Sequence, residues 1–290
     1  MNPEHQTKVI EFPKTPAWRL AVAELCQRGH QALQLGDTTT AVREYRTAAR
    51  AGSADGQYHL AAVLLSGGGS PKAIPEVIDW LKLAAEQGHA PAQAALGFLL
   101  AADTHGPPNY AAARHWFSLA ADQGHAPGCL GLAEMYATGR GVPKKRSVAA
   151  KLYRQAAYNG YGPAQRRLAD LYFFTKRDAN LVEAVKWYRV VAERGDLEAR
   201  QILQIIAERV EVPDGDEPRL PSRGALAAHD ATIAPFLALF HAPRKIQAAA
   251  VVERLREYQR RLGSATPPAL EERSVPGLKV ELLRSCAAAF

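Results

Sequence analysis

The sequence predicts an all-α fold, a right-handed superhelical α-solenoid of antiparallel helix pairs with a helical C-terminal extension. Three observations predict it. A block closing on glycine returns five times, as EYRTAARAG at 44, WLKLAAEQG at 80, WFSLAADQG at 116, LYRQAAYNG at 152 and WYRVVAERG at 187, in steps of 36, 36, 36 and 35 residues. A second helical segment follows each block, and its leucine keeps the beat at Leu60, Leu96, Leu132, Leu168 and Leu203. Small pairs (Ala84 and Ala85, Ala120 and Ala121, Ala156 and Ala157) let helices approach, while Trp80, Trp116, Tyr153, Trp187 and Tyr188 supply large wedges between pairs. A single pair cannot cover its own apolar face, but stacked pairs share one core.

In chain order, residues 1–16 read as an extended N-terminal segment and 17–210 as the repeat array. Its first copy, Ala17 to Gly52, keeps only its second helix in register, as a degenerate capping repeat would. Gly52, Gly88, Gly124, Gly160 and Gly195 stand where a helix ends in the left-handed conformation. Pro91, Pro127 and Pro163 open the helices that follow, where a missing N–H costs nothing. Residues 211–223, rich in proline and acids, read as a linker. Within 224–290 the segments ALAAHDATIAPFLALF and APRKIQAAAVVERLREYQRRLG predict two helices. In the second, Ile246, Ala250, Val251, Arg254, Leu255, Tyr258 and Leu262 recur at helical spacing, giving one apolar stripe and one cationic face; the stripe must be covered by the last repeat, by a second copy or by a partner. The final PGLKVELLRSCAAAF is either a docked helix or a peptide for a groove.

The segments MYATGRGVPKKRSVAAKLYRQAAYNGYGPA and EAVKWYRVVAERGDLEA resemble the Sel-1-like repeat family, a relative of the tetratricopeptide repeat with a longer turn between its helices. The resemblance runs from about Ala17 to Arg209, in about five copies. It implies a solenoid that binds a protein partner without catalysis, in a bacterial adaptor or scaffold. Two copies depart from the pattern: 98–110 carries THGPPN, and 173–180 carries FFTKRDAN. The family places Gly139 and Gly141 at an inter-helix turn; without a preceding strand or a following Gly-Lys-Ser/Thr they are not a phosphate loop.

Several chemistries are disfavoured. The three cysteines Cys26, Cys129 and Cys286 lack Cys-x-x-Cys spacing, which speaks against a disulfide framework or a structural zinc. Neither Ser-x-x-Lys nor Gly-x-Ser-x-Gly occurs. His89 and His125 occupy equivalent places one repeat apart and read as structural; His105, His115, His229 and His241 show no ligand spacing. The sequence therefore predicts no catalytic, cofactor or metal residues. The start MNPEHQTKVIEFPKTPAW lacks the apolar run of a secretory signal, and no stretch approaches a membrane span, so a cytoplasmic protein is expected.

The net charge is +7, and between Glu134 and Arg177 ten Lys or Arg face two acids, a local +8. Arg140, Lys144, Lys145, Arg146 and Arg167 are read as a basic patch for an acidic protein segment or, alternatively, for nucleic acid or another polyanion. First helices line the concave wall of a solenoid, so two columns supply candidate contacts: Tyr58, Ala94, Leu130 and Arg166, then Ala62, Phe98, Glu134 and Asp170. Partner binding is expected at Tyr58, Phe98, Glu134, Arg166 and Asp170. Self-assembly through the C-terminal stripe is a further alternative.

Overall fold

The computed structural model describes residues 15–66, 73–103, 106–175, 178–207 and 248–264. The proposed linker, the helix expected at 225–240, Ile246 and the last 26 residues lie outside them. Twelve α-helices and no strands are found among the described residues. They are α1 (Pro16–Gln34), α2 (Thr38–Arg50), α3 (Ala54–Ser66), α4 (Ile74–Glu86), α5 (Ala90–Ala101), α6 (Tyr110–Asp122), α7 (Ala126–Thr138), α8 (Arg146–Tyr158), α9 (Gly162–Phe173), α10 (Asp178–Glu193), α11 (Leu197–Ala207) and α12 (Ala248–Ser264). They fall into two compact units, one of 15–164 and one of 165–207 with 248–264.

The repeat becomes structure through its helix ends. The five block-ending glycines all have positive φ, between 74° and 96°. At Gly88 this lets two N–H groups turn back: Gly88 N donates to Ala85 O at 3.0 Å and His89 N to Ala84 O at 3.2 Å. Residues with a side chain rarely adopt that φ, which is why glycine punctuates the sequence. The prolines sit in the first turns of α5 and α7, as expected.

In the first unit α1 through α8 each pack on the next, and α5 also meets α7. One continuous core runs from Ala32 to Val142. Of the expected wedges Trp80, Tyr153, Trp187 and Tyr188 are buried and Trp116 is half-buried; Tyr45, Leu81 and Phe117 are sealed beside them. Phe117 is gripped by glycines, since a Cβ on Gly97 would stand 2.6 Å from its ring and one on Gly131 closer still. It meets Phe98 edge to face at 4.8 Å.

The two turns that differ most in sequence close alike. Asn109 N donates to Leu100 O at 2.7 Å, and 36 residues later Lys145 N donates to Tyr136 O at 2.9 Å. The first turn caps α6 with Asn109, whose Oδ1 accepts from Ala112 N at 3.0 Å. The second uses Gly139 and Gly141, with φ of 83° and 68°. A Cβ on Gly141 would collide with Tyr110, so the Gly-x-Gly pair makes a corner against α6.

In the second unit α12 packs on α11, burying Val251 and Leu255. Arg254 reaches from α12 to the end of α9, donating through Nε to Phe173 O and through Nη2 to Thr175 O, each at 2.9 Å. It thus satisfies carbonyls that a helix end leaves open. The part of the predicted stripe at Val251 and Leu255 is covered within the chain and offers no face to a second copy; Ala250 is exposed.

Candidate functional site

Buried glutamines knit the first repeats together. Gln57 donates to Ala49 O at 3.2 Å and Gln93 to Ala85 O at 3.1 Å, and each accepts from a glutamine 30 residues on, Gln87 at 2.9 Å and Gln123 at 2.8 Å. Cys129 occupies the next rung and reaches Ala121 O only through sulfur at 4.0 Å. Burial pushes its thiol up to about 11, which disfavours the reactive thiolate. Asn159 then bonds Gly124 O instead of a glutamine, at 3.4 Å.

The expected partner-binding residues do not form one exposed row. Tyr58 and Phe98 are 3% and 0% exposed, spent on the core; this corrects the expectation that they face a ligand. In α3 and α5 those positions lie on the side of the helix that packs into the core. Glu134 is half-buried on α7.

Arg166 is also corrected as a contact for an acidic partner, because its guanidinium is already held by three carboxylates of its own unit. Nε donates to Asp170 at 3.0 Å, Nη1 to Asp196 at 2.9 and 3.0 Å, and Nη2 to Glu198 at 2.9 Å. Tyr188 donates its hydroxyl to Asp170 at 2.8 Å, and its ring lies 5.7 Å from the guanidinium carbon. Burial works to lower the Arg166 pKa, but the charges of Asp170 and Asp196 outweigh it and the net shift is upward. Burial raises the Asp170 carboxyl against the pull of Arg166, and it raises the Tyr188 phenol, with Asp170 adding to the effect. Asp196 also caps α11, accepting from Ala199 N at 2.8 Å. Arg167 is one-fifth exposed and 3.9 Å from Asp170.

The basic patch therefore divides. Arg140, Lys144, Lys145 and Arg146 are exposed at the α7–α8 turn of the first unit, and no ion pair among the described residues uses them. Arg167 belongs to the second unit and to the carboxylate cluster.

His89 is structural in a defined way. Its Nδ1 accepts from Ala92 N at 3.2 Å, capping α5, so Nε2 carries the proton and donates to Asp55 at 2.9 Å. That bond holds the Asp55 carboxyl below its ordinary value against the effect of burial. His125 begins α7 without a side-chain cap bond, and the residue equivalent to Asp55 there is Pro91.

An open groove of about 620 Å³ lies in the first unit, lined by α1, α2 and α3. Its walls include His30, Leu33, Val42, His59 and Leu64. The sequence reading missed this groove and its two histidines because they belong to different helices, 29 residues apart, with no local spacing to mark them. Among the described residues no helix is long and apolar enough to cross a membrane.

Stacked helix pairs with a repeated glutamine rung and a glycine stop place the chain among α-solenoids of the tetratricopeptide-like class. Residues 54–89, 90–125, 126–161 and 162–196 match the Sel1 repeat, four consecutive copies. The α1–α2 pair precedes the matched copies, giving about five pairs in the array. A Sel1 repeat protein from Oxalobacter formigenes has a similar solved structure, at 27% identity and TM-score 0.58, covering 67% of this chain and 82% of its own. A protective antigen of uropathogenic Escherichia coli strains that displays an SLR fold is similar at 22% identity and TM-score 0.58, over 89% of this chain and 67% of its own. A search of curated proteins finds no match. Sel1 repeat proteins generally act as scaffolds in protein–protein interactions and are typically non-catalytic.

Proposed function

We propose that this chain is a non-catalytic adaptor that holds a protein partner, with an acidic segment of the partner docking along the α7–α8 turn. The observation that carries the reading is charge left over after folding: Arg140, Lys144, Lys145 and Arg146 are exposed and outside every ion pair among the described residues, whereas Arg166 and Arg167 have carboxylates beside them. Exposed pairs contribute about 0–1 kcal/mol each. Four such cations accordingly steer and orient a partner more than they hold it. They sit around a turn closed by a backbone bond and two glycines, so the cluster is presented on a fixed corner.

The test is co-purification at low salt of the wild-type chain and of a variant carrying Lys144→Glu, Lys145→Glu and Arg146→Glu. A protein companion present with the first and lost with the second supports the reading. Retention of the same companion by both removes the turn as its site. A short duplex DNA that binds the wild type with a steep salt dependence, in the absence of any protein companion, assigns the cluster to a polyanion instead.

A further inference from the structure

The cationic turn between α7 and α8 has a tyrosine on each of two sides. Tyr110 opens α6 and lies against Gly141, where an added Cβ would collide with the Tyr110 Cβ. Tyr136, in the last turn of α7, is tied to the far limb of the turn, since its carbonyl accepts from Lys145 N at 2.9 Å. Gly139 brings the two limbs together: a Cβ there would stand 3.3 Å from the Lys144 Cβ, so Arg140 and Lys144 spring from adjoining stretches of backbone. Tyr110 and Tyr136 are half-buried, each packing on the core of the first unit while part of it stays in solvent. By contrast Tyr45, Tyr153 and Tyr161 are sealed or nearly so.

Cations alone accept any acidic run. The helix they introduce carries no acid from Arg146 to Tyr158, so the charge at its entry is not answered from within α8. A carboxylate drawn to Lys144, Lys145 or Arg146 therefore arrives beside partly wetted phenol rings, and such rings gain by being covered with an apolar side chain. We infer that the segment recognised at this turn carries an apolar side chain flanked by acids, and that Tyr110 and Tyr136 receive it.

This inference rests on the docking reading above and adds its specificity. Charge decides where the segment lands, but exposed cations hold it weakly and salt screens them. The rings decide which acidic segments stay, because an apolar contact is not screened. Alanine at both tyrosines removes the rings and keeps the atoms that hold the corner, the Tyr110 Cβ against Gly141 and the Tyr136 carbonyl on Lys145 N. Leucine at both keeps an apolar surface of another shape.

The experiment measures the fluorescence anisotropy of two labelled peptides on the full-length chain: alternating Asp and Glu around a central glycine, and the same peptide with a central leucine. On the wild type the leucine peptide is expected to bind about fivefold tighter, a ratio that holds while added salt weakens both peptides. In Tyr110→Ala with Tyr136→Ala the preference should vanish while the glycine peptide binds as before, and in Tyr110→Leu with Tyr136→Leu it should persist, with circular dichroism reporting the fold of each. The wild-type comparison stands even where a variant fails to fold. Equal binding of the two peptides by the wild type overturns the inference and leaves the cationic turn as the docking site. A preference that survives the double alanine variant overturns it too, by moving the apolar contact elsewhere. If neither peptide binds the wild type, or if both bind the Lys144→Glu, Lys145→Glu, Arg146→Glu variant undiminished, the docking reading itself fails and takes the inference with it.

Discussion

One column of the repeat is filled in two ways. In the first unit it holds Tyr58, Ala94 and Leu130, all buried and apolar; in the second the equivalent position is Arg166 with Asp170, Asp196 and Glu198 around it. The helix backbone specifies that a side chain there points inward and leaves its chemistry open. Hydrocarbon is stable in that position by itself. A guanidinium is stable only because carboxylates surround it, one a turn along its own helix α9 and two at the start of α11. What looks in the sequence like a spare cation is the centre of a satisfied cluster.

The comparison breaks most sharply at its charged end. Arg166→Ala takes the nearest counter-charge from the largely buried Asp170, leaving Arg167 at 3.9 Å, and should lower the stability of the second unit by about 3 kcal/mol, read from urea unfolding. Burial raises the Asp170 carboxyl. A raised folded value means that the penalty of the unpaired carboxylate is full at neutral pH and is relieved as acid protonates it, so the loss should shrink on acidification. If Arg166→Met with Asp170→Leu is no more stable than Arg166→Ala, the view that the cluster merely substitutes for apolar filling is wrong.

Leu130→Ala is the matching test in the first unit. It should cost about 2–4 kcal/mol, and by the same unfolding measurement that cost should not change with pH. A pH-dependent loss would mean that this column is electrostatic in both units.

A smaller effect is expected at the broken rung. Cys129→Gln with Asn159→Gln supplies the two amides that Gln57 with Gln87 and Gln93 with Gln123 already provide. The double variant should gain about 1 kcal/mol, the net of an added buried hydrogen bond, seen as a higher melting temperature. A loss would show that the α7 site is shaped for sulfur. Smallest of all is Asp55→Asn. The His89 bond lowers the folded pKa of Asp55, so its contribution is complete above the ordinary carboxylate range and disappears as pH falls through the folded value. The variant should lose that part of the acid dependence, and only a little, because the Asp55 side chain is 70% exposed.

The helix pairs, their stops and the sealed alanines were legible because each depends on residues close in sequence. Glycine at positive φ, proline in a first turn and a leucine every 36 residues are local facts repeated often enough to read. The candidate surfaces were less legible. Exposure of Arg140, Lys144, Lys145 and Arg146 follows from a turn that the sequence marks with glycine. Burial of Tyr58 and Phe98 turned on which side of α3 and α5 meets the next pair, and a shift of one residue along a helix moves a side chain about 100° around it. The glutamine rungs were in plain view at Gln57, Gln87, Gln93 and Gln123, at repeat spacing, yet nothing local says that they bond.

By itself the sequence determined the period of the chain, the places where helices end and the repeat that residues 54–196 match, since these rest on backbone preferences and neighbours within a few positions. Only the tertiary structure decided which charges remain available and which histidines meet. Arg166 was neutralised from 30 and 32 residues away, and His30 found His59 across 29. Contacts at that separation are set by how one helix pair lies on the next, through close approaches such as Gly29 on Tyr45 that no composition or local pattern announces.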